Sequence, residues 1–157
     1  MLPTLFQPHS QLFKALASPK RLEIVHLLRT HCMRVEEIQR MTGMTQANVS
    51  QHLQVLRRCN VVVPQRTGKA ISYCLSHPRI VHALDDVQQI LVDRKKVNSA
   101  QSAHKTRVPI PQVIDPVCGM SISPQTAVLM ANYRRSTYYF CASGCHAAFT
   151  KKPEHYV

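Results

Sequence analysis

TQANVSQHLQVLRRCNVVVPQRTGKAISYCLS, residues 45–76, decides how the first half of the chain is built. Thr45 suits the start of a helix, because its hydroxyl can accept a hydrogen bond from an unpaired N–H of the first turn. Val49, Leu53 and Leu56 follow at i, i+4 and i+7, which makes one apolar face. Asn60 is a natural stop. At roughly 100° per residue the opposite face is Ala47, Gln51, Gln54 and Arg58, with Asn48 and Ser50 on its flanks. That face offers amides and a guanidinium and no carboxylate, whereas an ordinary solvated face mixes signs. Gln and Asn pair with adenine edges in the major groove, and Arg pairs with guanine or phosphate. Thr45, Gln46, Asn48, Ser50, Gln51, Gln54 and Arg58 are therefore expected to contact DNA.

The second part of the stretch reads as a hairpin. Val61–Val63 and Ile71–Leu75 have strand composition, with Arg66-Thr67-Gly68-Lys69 as the turn between them. A basic hairpin directly after a recognition helix is a wing, and Arg66 and Lys69 are expected to reach backbone phosphate or a minor groove. Upstream, Ser18-Pro19 suits an N-cap followed by the first helical position. Leu22, Ile24, Val25, Leu27 and Leu28 then give a broad apolar face. A short helix carries Val35, Ile38 and Met41 and stops near Gly43. Two helices meeting across about three residues make a helix-turn-helix. The expected fold class is mainly α with a β-hairpin wing, a winged helix-turn-helix.

The next helix starts near Pro78. Ile80, Leu84, Val87 and Leu91 fall at i, i+4, i+7 and i+11. A stripe of that length suits pairing with a twofold mate, which would present two recognition helices to successive major grooves. Packing within one subunit is the alternative.

Composition agrees with a nucleic-acid partner. The 157 residues carry a formal charge of +12, with +8 in residues 1–98 and +4 in the remainder. Such an excess favours a polyanion, nucleic acid before a membrane surface. No run of eighteen apolar residues is present, so no membrane span is expected. The N-terminal stretch lacks the charged start and apolar core of a signal peptide, which points to a soluble, cytoplasmic protein. There the six cysteines should stay reduced, and their grouping points to metal or redox chemistry. Residues 93–112, DRKKVNSAQSAHKTRVPIPQ, are polar, basic and then Pro-interrupted. They read as the end of a helix and a linker. The expected organisation is a DNA-binding and dimerisation domain over 1–97, a linker over 98–112 and a small domain over 113–157.

LFKALASPKRLEIVHLLR, MTQANVSQHLQVLRRCNVV and RTGKAISYCLS together resemble the ArsR/SmtB family of dimeric metal-responsive repressors, over roughly residues 10–92. The resemblance implies a winged-helix homodimer on double-stranded operator DNA with an inverted repeat, released by an inducer. It also implies no enzymatic activity, and the chain shows neither a nucleophile–base set nor a phosphate loop. The family's usual sensor positions are not metal ligands here. The Cys-x-Cys pair aligns with Arg34 and Glu36, with Cys32 out of register, and the terminal-helix site aligns with His77, Arg79, Ile90 and Asp93. His82, Asp85 and Asp86 read as a solvated face. Cys59 and Cys74 read as packed thiols, with a redox or persulfide switch between them as an alternative input, and His52 reads as a structural histidine.

Residues 115–157, DPVCGM through TYYFCASGCHAAFTKKPEHY, resemble the YHS domain, a relative of the TRASH metal-binding modules. Cys118, Cys141 and Cys145 form a C-x22-C-x3-C pattern. Val128–Tyr133 and Thr137–Phe140 can pair as a hairpin around Arg134-Arg135-Ser136, with a helix from Cys141 to about Thr150. This is a small α+β, zinc-knuckle-like domain, with Phe149 and Tyr156 as its core and Pro153 ending the helix. Cys141 and Cys145 stand one turn apart, and a thiol at a helix start is expected to have a lowered pKa. Three thiolates suit Cu(I) first, then Ag(I), Hg(II), As(III) or Zn(II), with His146 or Met120 as a possible fourth ligand. The implied function is a metal-responsive repressor. A permanent structural zinc, a metal-carrier tail and a thiol-redox input remain as alternatives.

Overall fold

The computed structural model describes residues 6–97, 112–124, 127 and 129–157. The expected linker residues 98–111 and the expected strand residue Val128 lie outside these. The chain divides into two compact units, residues 1–80 and 81–157.

The first unit runs α1 (Phe6–Leu16), α2 (Pro19–Leu27), β1 (Met33–Arg34), α3 (Val35–Thr42), α4 (Gln46–Arg58), β2 (Val62–Thr67) and β3 (Ala70–Leu75). Its core is Ile24, Val25 and Leu27 from α2, Met33, Ile38 from α3, Val49, Leu53 and Leu56 from α4, and Val61 and Val62, all at most 1% exposed. Burying a side chain of this size contributes about 1.5–3 kcal/mol relative to leaving it in water, so this apolar layer is what aligns the two helices of the motif. Ser18 takes the extended backbone of an N-cap and is followed by Pro19, although its side chain makes no cap bond. Gly43 ends α3 at φ +69, donating its N–H to the Gln39 carbonyl at 2.9 Å. Two residues later the Thr45 hydroxyl accepts from the Asn48 N–H at 3.3 Å and starts α4. The far end of α4 closes as a Schellman motif: Asn60 sits at φ +52, Val61 N–H donates to Leu56 O, and Asn60 N–H donates to Arg57 O.

The wing differs from its sequence reading in extent. β2 and β3 pair from Val62–Leu75 to Thr67–Ala70, so the turn is only Gly68-Lys69. Arg66 therefore lies in β2 opposite Ile71, not in the turn. Pro64 interrupts the strand pattern, but β2 is an edge strand in the order β1-β3-β2, where a missing N–H is tolerated. Gly68 has φ +62 at the first turn position, where a type II′ hairpin requires glycine.

Helix α1 and strand β1 have no counterpart in the sequence reading. β1 pairs with β3, Met33 opposite Tyr73 and Arg34 opposite Ser72. The same register carries Cys32 against Cys74, and the two are joined as a disulfide. This corrects two expectations: not all the cysteines are reduced, and Cys74 is bonded to Cys32 while Cys59 stays a free, half-buried thiol. The physical reason is the unforeseen strand, whose register sets Cys32 opposite Cys74.

Helix α5 (Arg79–Val97) starts at the end of the first unit. Within a single chain its Val87, Ile90 and Leu91 are 48–55% exposed, while Ile80 and Leu84 are half-buried. The rest of the second unit is β4 (Val113–Ile114), β5 (Ser121–Ile122), β6 (Leu129–Tyr133), β7 (Ser136–Phe140), α6 (Ser143–Lys151) and a 3-10 turn at Pro153–His155. β4 pairs with β5 and β6 with β7, each as an antiparallel ribbon. Phe149 on α6 is the hub of the core, with ring centroids 5.0 Å from Tyr138, 5.1 Å from Phe140 and 6.2 Å from both Tyr133 and Tyr156. Arg134 and Arg135 make the β6–β7 turn at φ +46 and +68, a type I′ geometry that usually selects Asn-Gly. The Arg134 guanidinium lies 5.2 Å over the Tyr133 ring, which offsets part of that backbone cost.

Candidate nucleic-acid interface and metal centre

Once Val49, Leu53 and Leu56 are buried, the 3.6-residue period fixes what α4 shows to solvent. Thr45, Gln46, Asn48, Ser50, Gln51, Gln54 and Arg58 are all exposed, as is the neighbouring Arg57. None carries negative charge. His52 is half-buried, and burial first, then the charges of Arg21 and Lys20, lower its pKa from 6.5. A neutral histidine packed toward α2 fits a structural role. In the wing, Arg66 and Lys69 are exposed, so the structure leaves both available to a polyanion.

In the second unit the three tail cysteines come together. A tight loop between β4 and β5 carries Cys118. Asp115 N–H donates to Met120 O at 2.9 Å, Gly119 N–H donates to Asp115 O at 2.8 Å, and Gly119 takes φ +76. β7 delivers Cys141 immediately before Ala142, the N-cap of α6, and Cys145 follows in the first turn of that helix. The sulfur of Cys118 lies 3.3 Å from that of Cys141, which lies 3.7 Å from that of Cys145. Cys141 and Cys145 are buried, and Cys118 is exposed.

Asp115 is the residue that sequence reasoning missed. It is fully buried, and its ligand oxygen lies with the three sulfurs in a group spanning no more than 4.8 Å. One carboxylate oxygen accepts from Val117 N–H at 2.9 Å and the other from Cys141 N–H at 2.8 Å. It thus ties the Cys118 loop to the start of α6. Its sequence signal was the Asp-Pro-x-Cys spacing, because an Asp side chain commonly accepts from the backbone two residues on. His146 is not in this group: its ring packs edge-on against Phe140, 5.3 Å between centroids. Met120 is buried, 7% exposed.

The proton distribution reverses one expectation. Hydrogen bonding with Cys141 first, then with Cys145, pushes the Cys118 thiol well below its ordinary value. Sharing with Cys118, followed by the other cysteine and then burial, pushes Cys141 up, and Cys118 likewise raises Cys145. Cys118 is therefore the thiol pushed toward the thiolate form, and Cys141 is pushed toward the protonated form. Cys141 stands before the helix cap and gives its own N–H to Asp115, so the helix start does not activate its sulfur.

Residues 18–63 match the family described as "Bacterial regulatory protein, arsR family", and residues 113–157 match the YHS domain. The HTH-type transcriptional regulator Rv0081 of Mycobacterium tuberculosis is 35% identical over 88 residues, 55% of this chain and 77% of that one. The chain belongs to the arsR family of bacterial regulatory proteins. Its similarity to the HTH-type transcriptional repressor SmtB of the same organism is 36% over 76 residues, 48% of this chain and 56% of that protein. Among solved structures, the crystal structure of Rv0081 superposes with a TM-score of 0.56 at 32% identity, covering 62% of this chain and 98% of that one. The solution structure of the homodimeric winged helix-turn-helix domain of Mb0332 from Mycobacterium bovis gives 0.54 at 28%, covering 64% and 91%. This arsR-family protein is therefore a DNA-binding transcriptional regulator rather than an enzyme, with a winged helix-turn-helix and an appended YHS domain. No helix among the described residues is long and apolar enough to cross a membrane.

Proposed function

We propose that this regulator is a cytoplasmic homodimeric repressor of an inverted-repeat operator, and that a soft metal bound by Cys118, Cys141 and Cys145 releases it. Residues 1–97 bind DNA and dimerise, 98–112 are the linker, and 113–157 sense the metal. The observation that carries the reading is the convergence of three sulfurs and one carboxylate within 4.8 Å. Two thiolates on a tetrahedral ion with bonds of 2.3 Å stand about 3.8 Å apart. The sulfur spacings of 3.3 and 3.7 Å are close to that, so the donor set fits an ion with little rearrangement. A three-sulfur site favours Cu(I), and Ag(I), Hg(II) and As(III) follow the same preference.

A second reading rests on Asp115. If its carboxylate joins the sulfurs as fourth donor, the set becomes S3O, which favours Zn(II). The carboxylate already accepts two backbone N–H bonds, which supports a positioning role and the three-sulfur site instead.

Dimerisation through α5 is supported by its exposed Val87, Ile90 and Leu91. On α4, Gln51, Gln54 and Asn48 read bases, and Arg58, Arg66 and Lys69 hold phosphate. Metal binding lowers operator affinity through a coupling of about 1–3 kcal/mol, the usual size for allostery. The test is fluorescence anisotropy of labelled operator with the full chain in reductant, titrated with Cu(I) and with Zn(II). Release by wild type and none by Cys145→Ser is expected. Release from a chain cut after Pro111, at the wild-type midpoint, would remove the tail from the sensing role.

A further inference from the structure

The first unit holds a second sulfur pair that metal sensing by the tail does not use. Cys32 precedes β1 and Cys74 lies in β3. The ladder pairs Met33 with Tyr73 and Arg34 with Ser72, so its next step sets Cys32 opposite Cys74. Their Cα atoms are 4.3 Å apart and their sulfurs are bonded. The contact follows from strand register and needs no backbone movement to form. Both residues are partly exposed, which gives small oxidants and reductants access. The Gln65 side-chain oxygen on β2 lies 3.2 Å from the Cys74 sulfur and 3.5 Å from that of Cys32. It is placed to accept an S–H from either sulfur when the bond is open, so the site has a partner for the reduced form as well.

What the bond encloses gives it a role. Cys32 leads through β1 directly into α3, and Cys74 is in the central strand of the wing sheet. The two lie 42 positions apart, and the segment between them contains α3, α4, β2 and most of β3, with every DNA-facing residue named above. β1 holds β3 by only two residue pairs, against six between β2 and β3. β1 thus joins α3 to the wing by the shorter of the sheet's two ladders, and the sulfur bond staples that ladder at its end.

We propose that Cys32 and Cys74 form a reversible thiol–disulfide site that tightens operator binding when oxidised. The oxidant is a hydroperoxide. One cysteine thiolate attacks the peroxide, the O–O bond breaks, and the sulfur leaves as a sulfenic acid with release of water or an alcohol. The second thiolate displaces water from that sulfur and forms the S–S bond. Two thiols thus give two electrons and two protons to one peroxide, and a dithiol reductant returns them. The closed form fixes the wing relative to the helix pair, so less ordering remains to be lost on DNA binding.

The experiment uses the full chain without added metal. Wild type and Cys32→Ser are reduced, treated with hydrogen peroxide, and then returned with dithiothreitol. Tail thiols oxidise in both proteins, so the difference between them isolates the first-unit pair. Cys74→Ser is the second variant should Cys32→Ser fail to fold. Peptide mapping is expected to find the 32–74 crosslink in oxidised wild type and to lose it on reduction. Operator affinity by anisotropy is expected to rise about tenfold on oxidation in wild type, and not in either variant. No 32–74 crosslink, or an oxidised wild type that binds no more tightly than the reduced one, overturns the proposal. Because no metal is present, neither result bears on the tail as metal sensor.

Discussion

Replacing Asp115 by alanine separates the carboxylate's role in folding the YHS domain from any role as ligand. The wild-type side chain is fully buried and accepts the Val117 and Cys141 N–H groups at 2.9 and 2.8 Å. A hydrogen bond to a charged acceptor contributes about 1.5–3 kcal/mol, and a buried donor left without a partner costs a similar amount. Losing both bonds therefore costs about 3–6 kcal/mol. A domain the size of residues 113–157 has a total stability of about 2–7 kcal/mol at 0.05–0.15 per residue. Asp115→Ala should thus leave the metal-free tail largely unfolded while the first unit stays intact. Four of the five tyrosines, Tyr133, Tyr138, Tyr139 and Tyr156, are in the tail, so near-ultraviolet circular dichroism of the full chain reports on it. The variant should lose most of that signal, and Cys141 and Cys145, buried in wild type, should react with a thiol reagent at the rate of exposed cysteines. A thousandfold excess of metal over its Kd contributes about 4 kcal/mol and should restore the signal if the three sulfurs suffice as ligands. A wild-type spectrum with slow thiol reaction in the metal-free variant would refute the structural role.

The two parts of the DNA surface should fail differently. Gln51→Ala should cost about 1–3 kcal/mol and relax base preference at one step per half-site, whereas Lys69→Ala should weaken all sequences evenly and reduce the salt slope by about one; both are read by anisotropy over a salt series. Leu91→Glu places a charge on the exposed stripe of α5 and should give a folded monomer by sedimentation, because the residue is 48% exposed in the single chain; a dimer of unchanged affinity contradicts the seam. The lowered pKa of His52 means that the unfolded chain takes up a proton before the folded one. Stability is therefore full above the unfolded value of 6.5 and falls as pH drops below it. His52→Gln should flatten that slope in urea titrations between about pH 7.5 and 5.5, and an unchanged slope would assign it to other groups.

The sequence alone determined the two helices of the motif, the face that α4 turns outward and the cysteine set of the tail. These features are local. A 3.6-residue period fixes which residues share a face, and Gly43 and Thr45 fix where one helix ends and the next begins whatever packs around them. The wing was visible in outline, but its length was not, because tolerance of Pro64 depends on β2 being an edge strand, and that is a property of the sheet. Strand β1 has two residues, too few for any periodicity, and exists because β3 offers it an open edge. The Cys32–Cys74 bond follows from that pairing, so a reading by residue type set Cys74 beside Cys59 instead. Asp115 was equally invisible, since its role depends on the Cys141 N–H, 26 positions away, arriving beside its carboxylate. The acidity of the tail thiols was decided there too. Spacing placed Cys141 at a helix start, but hydrogen bonding among three clustered sulfurs raises Cys141 and lowers Cys118, the one that faces water.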